Sequence, residues 1–305
     1  MKIIIAGGSG FIGRNITDRL SKSGYSIYIL SRKPEQNKKL SNENVSIVEW
    51  DQKNIKKLTD LFSGDYGIIN LAGENISTGR WTDVKKARIL HSRLHAVKAL
   101  AEATELSSDT KPQFFIQGSA IGYYDAYGDD ISVENSPKGS GFLSDVVAKM
   151  EELTKELLEE KTRLIIIRTG IVLGKDGGAL PKLLTPYRFY AGGPIGTGHQ
   201  WQSWIHINDV AAAVHFLMEK KDQKGIFNLT APVPVKMKEL SAAIASVLNK
   251  PSWLPVPGLA LKLAFGEMAE AIMLNGERAV PKRLLDAGFE FSIADIKKAL
   301  INLLK

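Results

Sequence analysis

Near its start the chain reads Gly7-Gly8-Ser9-Gly10-Phe11-Ile12-Gly13, which spaces glycines as G-x-x-G-x-x-G. The spacing suits a backbone that turns tightly, lets a pyrophosphate approach closely and then packs a helix against a strand, with the free N–H groups of the helix N-terminus aimed at the phosphates. The chemistry is dinucleotide binding, and Gly7, Gly10, Phe11, Ile12 and Gly13 are its candidate residues. About twenty residues further on, an acidic side chain would accept hydrogen bonds from a ribose 2′-hydroxyl. Here the chain reads Leu30-Ser31-Arg32-Lys33 and offers no carboxylate. A guanidinium and an ammonium suit a 2′-phosphate instead, the guanidinium in bidentate fashion. Ser31, Arg32 and Lys33 therefore predict NADP(H) in preference to NAD(H), with a solvated basic turn as the alternative.

These residues need particular elements to position them. Lys2-Ile3-Ile4-Ile5-Ala6 is a β-branched run ending at the glycines, the pattern of a strand buried on both faces. From Phe11 to Ser23 apolar residues recur every four positions and Gly24 supplies a stop, which predicts a helix. Ser26 to Leu30 closes the unit as a second strand. The alternation continues through Val45 to Glu49, a polar helix near Lys53 to Phe62, Tyr66 to Leu71, a long helix from Asp83 to Thr104, Gln113 to Gly118, a helix from Leu143 to Glu160 and a strand from Arg163 to Thr169. The expected fold is α/β: a doubly wound parallel Rossmann sheet with a smaller C-terminal substrate lobe. Residues 1–170 form the first part, with parts of 205–230 returning to it, and 171–305 the second, in which Gly and Pro punctuate shorter elements. A C-terminal extension spans about 251–305, with helical stretches at Leu259 to Asn275, Pro281 to Ala287 and Ile293 to Leu304.

The 305 residues are 44% hydrophobic and 24% charged, as expected for a globular chain. No apolar run approaches the roughly 18 residues of a membrane span and no signal peptide opens the chain, which predicts a soluble, cytoplasmic protein without membrane partners. With no cysteine there is no disulfide framework, thiolate metal site or cysteine nucleophile, so redox chemistry requires a borrowed cofactor. The formal charge of +7 is spread along the chain without blocks or nucleic-acid motifs, so an anionic small molecule is the expected partner and nucleic acid is not. His91 and His95 stand four apart on a basic helix without acidic support, and no metal site is expected. A homodimer is a further expectation.

The glycine loop, Asn70-Leu71-Ala72-Gly73, Gly79-Arg80-Trp81-Thr82, Ser92-Arg93, Gly118-Ser119-Ala120-Ile121-Gly122-Tyr123-Tyr124, Ile167-Arg168-Thr169-Gly170 and Ser203-Trp204-Ile205-His206 together resemble an extended short-chain dehydrogenase/reductase. The resemblance is narrower to the atypical, 39U-type epimerase-like branch, whose C-terminal extension is matched by Gly266-Glu267-Met268-Ala269 and Gly276-Glu277-Arg278. It implies that Asp51 contacts the adenine amino group and that Leu71, Ala72 and Gly73 line the nicotinamide-side ribose, although Asp51 also suits a strand-end turn and the others strand-end packing. It implies that Ser119 stands at the catalytic serine position. As a hypothesis on the same matches, Arg80, Trp81 and Arg93 line a substrate pocket and bind an anionic group; tying a loop to a helix end is the alternative for both arginines. His206 is a pocket candidate whose alternative is a hydrogen-bonded structural residue.

One departure bears on the reaction. The superfamily's Tyr-x-x-x-Lys pair puts both side chains on one helical face, where the lysine lowers the tyrosine pKa. Leu143 and Val147 occupy those places here, and none of the eight tyrosines has a lysine four residues downstream. Tyr123 and Tyr124, four and five residues after Ser119, are the remaining candidates for a proton donor; packing of loop aromatics is the alternative. The expected activity is NADP(H)-dependent hydride transfer, of oxidoreductase or epimerase type, on a small, sugar-like or anionic substrate. The rival is a non-catalytic NADP(H)-binding protein that controls a partner.

Overall fold

The first strand, β1 (Lys2–Ala6), shows why the sheet is covered on both sides: Ile3 and Ile5 enter one core, Ile4 and Ala6 the other. In the computed structural model, which describes residues 1–52, 55–107, 110–125 and 128–305, this strand is an inner strand of a seven-stranded parallel sheet. The helix α1 (Phe11–Lys22) leads to β2 (Ser26–Ser31), the short helix α2 (Pro34–Asn37) and β3 (Val45–Glu49). A 3-10 helix at Ile55–Phe62 precedes β4 (Tyr66–Asn70); the first two residues of the helix predicted there, Lys53 and Asn54, lie outside the described residues. Then follow α3 (Asp83–Leu106), β5 (Phe115–Ala120), β6 (Ile131–Ser132), α4 (Phe142–Leu158) and β7 (Leu164–Thr169). The second part contains β8 (Ile171–Gly174), β9 (Gly177–Gly178), α5 (Leu180–Arg188), β10 (Trp201–Gln202), β11 (Trp204–His206), α6 (Ile207–Glu219), β12 (Gly225–Leu229), β13 (Val235–Lys236) and α7 (Met237–Leu248). The tail adds α8 (Gly258–Phe265), α9 (Glu267–Ala269), β14 (Arg278–Ala279), α10 (Lys282–Asp286) and α11 (Ile296–Leu304).

The strand order is β12-β7-β5-β4-β1-β2-β3. Chain order reverses between β1 and β4, and ligands of such sheets bind outside the carboxyl ends at that point. The core on one face holds Ile16 and Leu20 of α1, Val210 and Val214 of α6, and Leu300 of α11; the other holds Leu58 and Phe62 of the 3-10 helix, Ala96 and Leu100 of α3, and Leu158 of α4. Register aligns polar residues near the carboxyl edge: Asn70 stands opposite Gln117, while Ser119, Arg168 and Asn228 form a row across β5, β7 and β12.

The predicted Leu259 to Asn275 helix is broken. Gly266 takes φ +63, outside the helical region, and separates α8 from α9 and a π turn at Glu270–Leu274. Strand β14 pairs with β6, so the tail is tied to the segment that leaves β5. Among the described residues no helix is long and apolar enough to cross a membrane, and no group of three or more His, Cys, Asp or Glu stands where it could hold a metal.

Candidate cofactor and catalytic site

The glycine loop has the shape its spacing requires. Gly7 takes φ +79, and a Cβ there would lie 2.8 Å from the carbonyl carbon of Leu71. A Cβ on Gly13 would lie 2.3 Å from the Gly7 oxygen and 2.6 Å from Gly8 Cα, so only glycine lets α1 sit directly on the loop. Gly10 is the N-cap of α1 and supplies no side-chain cap, and the first turn has no acidic residue. The N–H groups of Phe11, Ile12 and Gly13 are thus at the helix N-terminus, where an anion is favoured. The Phe11 ring points elsewhere: Gly174, Gly177 and Gly178 of the β8–β9 hairpin close around it so tightly that a Cβ on Gly174 would lie 2.4 Å from the ring.

At the end of β2 the Ser31 hydroxyl oxygen accepts from the Lys33 N–H at 3.1 Å and from Asn37 Nδ2 at 2.9 Å, which shapes the turn and leaves Arg32 and Lys33 exposed. Asp51 is exposed one residue beyond Trp50, whose N–H donates to the Ser31 carbonyl. The residues of this cradle fit a phosphorylated dinucleotide: free helix N–H groups, a wall without side chains, and two exposed cations at the carboxyl end of β2.

After β4, the Leu71 N–H donates to the Ala6 carbonyl and the Ala72 N–H to Asn70 Oδ1 at 3.1 Å, which holds Leu71 to Gly73 against the glycine loop. Arg93 supports this turn from beneath. Its Nη1 donates to the carbonyls of Glu74 and Ile89, and a Cβ on Gly73 would lie 3.1 Å from its Cζ. Arg80 Nη2 donates to the Leu263 carbonyl of α8, and Trp81 is buried, with Nε1 donating to the Ile76 carbonyl and its ring edge-on to Phe142. The contacts made by both arginines are those of the loop-tying alternative. Buried Lys85 secures the same loop through Glu74 Oε1 at 2.6 Å and Thr78 Oγ1 at 3.1 Å, and that hydrogen bond, ahead of the opposing effect of burial, holds the Glu74 carboxyl below its usual range.

The row Ser119, Arg168 and Asn228 faces α4, which contributes Glu151. Ser119 Oγ donates to Glu151 Oε1 at 2.6 Å. Arg168 donates to the same carboxylate in bidentate fashion, Nε to Oε1 at 2.9 Å and Nη2 to Oε2 at 2.7 Å. Burial alone would lower the Arg168 pKa, but the hydrogen bonds and charge of Glu151 outweigh it and raise the pKa above the usual value. Its Nη1 donates to the Tyr124 hydroxyl at 3.0 Å, which donates in turn to Asn228 Oδ1 at 2.8 Å.

This network separates the two tyrosines. Tyr124 is 3% exposed, burial raises the pKa of its phenol, and its hydroxyl is committed to Arg168 and Asn228. It braces the network instead of facing a ligand. Tyr123 keeps part of its surface open, its ring lying on the Arg168 guanidinium with Cζ 3.4 Å from the centroid. His206 does not line a pocket either. It is 1% exposed, its Nδ1 accepts from the Asn208 N–H at the start of α6, and burial lowers its pKa, which keeps the accepting nitrogen unprotonated.

Sequence reasoning missed Glu151, Arg168 and Asn228 as functional residues. A charged residue inside the apolar run Leu164 to Thr169 was the available signal for Arg168, and Glu151 lies four residues after Val147, on the helix face that would have carried the dyad. It also missed Glu277, a half-buried acid whose pKa burial pushes up to about 7. Folding raises this pKa, so stability is intact below the ordinary value of 4.5 and falls as pH rises toward about 7. At about 1.4 kcal/mol per unit, the ionised group costs on the order of 3 kcal/mol. Glu277→Gln is expected to raise the melting temperature at pH 8 and not at pH 4; an equal change at both pH values in calorimetry would refute the assignment.

A seven-stranded parallel sheet with a glycine loop at the point where chain order reverses defines a Rossmann-like fold. The chain belongs to the NAD dependent epimerase/dehydratase family, whose model matches residues 3–230. Residues 256–303 match a second model, a domain of unknown function (DUF1731). Among its relatives, the epimerase family protein YfhF of Bacillus subtilis is 37% identical over 100% of this chain and 98% of that protein. The chloroplastic SDR39U1 homolog of Arabidopsis thaliana is 35% identical over 98% of this chain and 86% of its own. The crystal structure of human epimerase family protein SDR39U1 (isoform2) with NADPH aligns with a TM-score of 0.88 at 30% identity, covering 99% of each chain.

Proposed function

We propose that the protein is an NADP(H)-dependent oxidoreductase or epimerase-like enzyme acting on a small, anionic or sugar-like substrate. The observation that carries this reading is the Ser119–Glu151–Arg168 arrangement at the carboxyl end of β5, two strands from the glycine loop. The NADPH named with the human relative supports the cofactor. When bound, the nicotinamide supplies or accepts hydride.

The chain's own residues do the rest. The Ser119 proton points to Glu151, which turns the serine lone pairs outward, ready to accept from a substrate hydroxyl and orient the oxygen that will become a carbonyl. Glu151 is held by two hydrogen bonds from Arg168, so Ser119 is fixed before substrate arrives. Tyr123 is the proton donor and acceptor of this reading, with its ring oriented by the Arg168 guanidinium. The loop from Leu71 to Trp81 walls the site, and Arg80 stands at its exposed edge. A second reading, a cofactor-binding protein that controls a partner, draws on one observation: Leu143 and Val147 stand where the Tyr-Lys pair would be.

Following absorbance at 340 nm with NADPH across a panel of carbonyls and nucleotide sugars separates the two. The enzyme reading expects turnover that Ser119→Ala lowers by about 10²-fold or more, the scale of losing one preorganised hydrogen-bonding group. An unchanged rate in that variant removes Ser119 from its role, and tight NADPH binding without turnover favours the second reading.

A further inference from the structure

Helix α8 is apolar almost all round and yet lies at the surface. Six of its eight residues are Leu, Ala or Phe, a composition that suits a helix covered on every side, but only Leu261 is buried. Leu259 and Leu263 are each 71% exposed. At about 3.6 residues per turn they share the face opposite Leu261, so they form an outward ridge, with the exposed Ala260 and Ala264 as a shallow row beside it. The apolar surface extends beyond the helix. Trp253 Nε1 donates to the Tyr190 carbonyl at 3.1 Å and the Leu254 N–H to the Gly192 carbonyl at 3.1 Å, which sets the segment before α8 beside the end of α5. There Phe189 is 77% exposed, Tyr190 58% and Trp253 66%.

An aromatic side chain covers about 150–250 Å² when wholly buried, so with the leucines this region leaves on the order of 700 Å² of apolar side chain outside. The largest such patch on an ordinary monomer is about 300–600 Å², and each partner of a standard interface buries about 800 Å². The area is that of one side of an interface. Charge decides what covers it. Lys262, the single charged residue of α8, pairs with Glu270 at 3.2 Å, Lys86 of α3 pairs with Glu267 of α9, and Lys250 lies 3.3 Å from the Tyr190 ring centroid. A helix that rests on anionic lipid carries a cationic polar face, which α8 lacks. A neutral ridge beside a shallow row is instead complementary to itself: related by a twofold axis, each leucine ridge meets the alanine row of the other copy.

We propose that this face joins two copies of the chain, with α8 packed on α8 across a twofold axis and the aromatics at the end of α5 beside it. The inference goes beyond the enzyme reading and does not depend on it. It also sets the interface against the candidate site, because Arg80, in the loop that walls the site, donates from Nη2 to the Leu263 carbonyl at 2.8 Å. Pairing of two copies thus fixes the helix on which that loop is tied.

The test is sedimentation velocity on the wild-type protein and on a variant carrying both Leu259→Glu and Leu263→Glu, with circular dichroism as the check on folding. Wild type should sediment as a dimer at micromolar concentration, and the variant, unchanged in its spectrum, should weaken the dimer at least about a hundredfold, since each substitution is felt twice across the axis. A second measurement uses the absence of cysteine. Ala260→Cys and Ala264→Cys, made separately, each give one reactive thiol, and a short bismaleimide should join two copies through at least one of them. Glu105→Cys, exposed on α3 roughly 30 Å from the Lys86 end of that helix, should not be joined. A monomeric wild type, a dimer that survives both glutamates, or cross-linking through Glu105→Cys alone overturns the inference. So does co-sedimentation of the wild-type protein with phosphatidylglycerol vesicles that the double variant loses, which would assign the face to lipid.

Discussion

Arg168→Met is expected to destabilise the fold by about 3–5 kcal/mol, the cost of stranding one partner of a buried ion pair. Arg168 is 1% exposed and Glu151 3%, so water cannot replace the two hydrogen bonds that the guanidinium gives the carboxylate. The loss also reaches Tyr124, whose hydroxyl accepts from Arg168, and the carbonyl of Glu134, which accepts from the same Nη1 at 3.3 Å. Removing the carboxylate as well should relieve the fold: Glu151→Leu with Arg168→Met leaves no buried charge, and such double replacements are often neutral or better. The double variant should regain most of the lost stability in urea denaturation, yet Ser119 would then have nothing to donate to, and turnover should not return. A single-variant cost below about 1 kcal/mol would show that the pair is wet and its geometry incidental.

Gly13→Ala should reduce NADPH affinity by at least about a hundredfold, or roughly 2.7 kcal/mol. The new Cβ would meet the Gly7 oxygen and Gly8 Cα, both backbone. Neither has room to retreat, because the Gly7 carbonyl accepts the Gly10 N–H at 3.0 Å and Gly7 itself is packed on the Leu71 carbonyl. Either the loop is displaced from the phosphates or α1 is pushed from the sheet. Calorimetric titration with NADPH, with far-UV circular dichroism as a check on folding, reads the effect; an affinity within threefold of wild type would mean that the loop does not hold the cofactor as described.

Much of the candidate cofactor site is legible in the sequence because it is local. The glycine loop, the basic turn at Arg32 and Lys33 and the serine at the end of β5 each depend on residues close together in the chain, and periodicity places the strands and helices that carry them. The remainder depends on distant pairings. That Tyr124 is committed and Tyr123 is open follows from Arg168 and Asn228, 44 and 104 residues away. His206 reads as a pocket candidate until α6 is seen to start on its ring, and Arg80 reads as an anion ligand until its partner Leu263 appears 183 residues on. The break at Gly266 lay within an otherwise helical pattern, where a glycine signals weakness but not the sense of φ.

The central claim is that this chain holds NADP(H) through the glycine loop and selects it by Arg32. It is tested most directly by titrating the wild-type protein and Arg32→Asp with NADPH and NADH at one fixed salt concentration. A charge-assisted pair with the 2′-phosphate contributes about 1.5–3 kcal/mol, so wild type should bind NADPH at least about tenfold more tightly than NADH. Arg32→Asp should lose that margin while its affinity for NADH is kept. Equal affinities for the two cofactors in the wild-type protein would contradict the account.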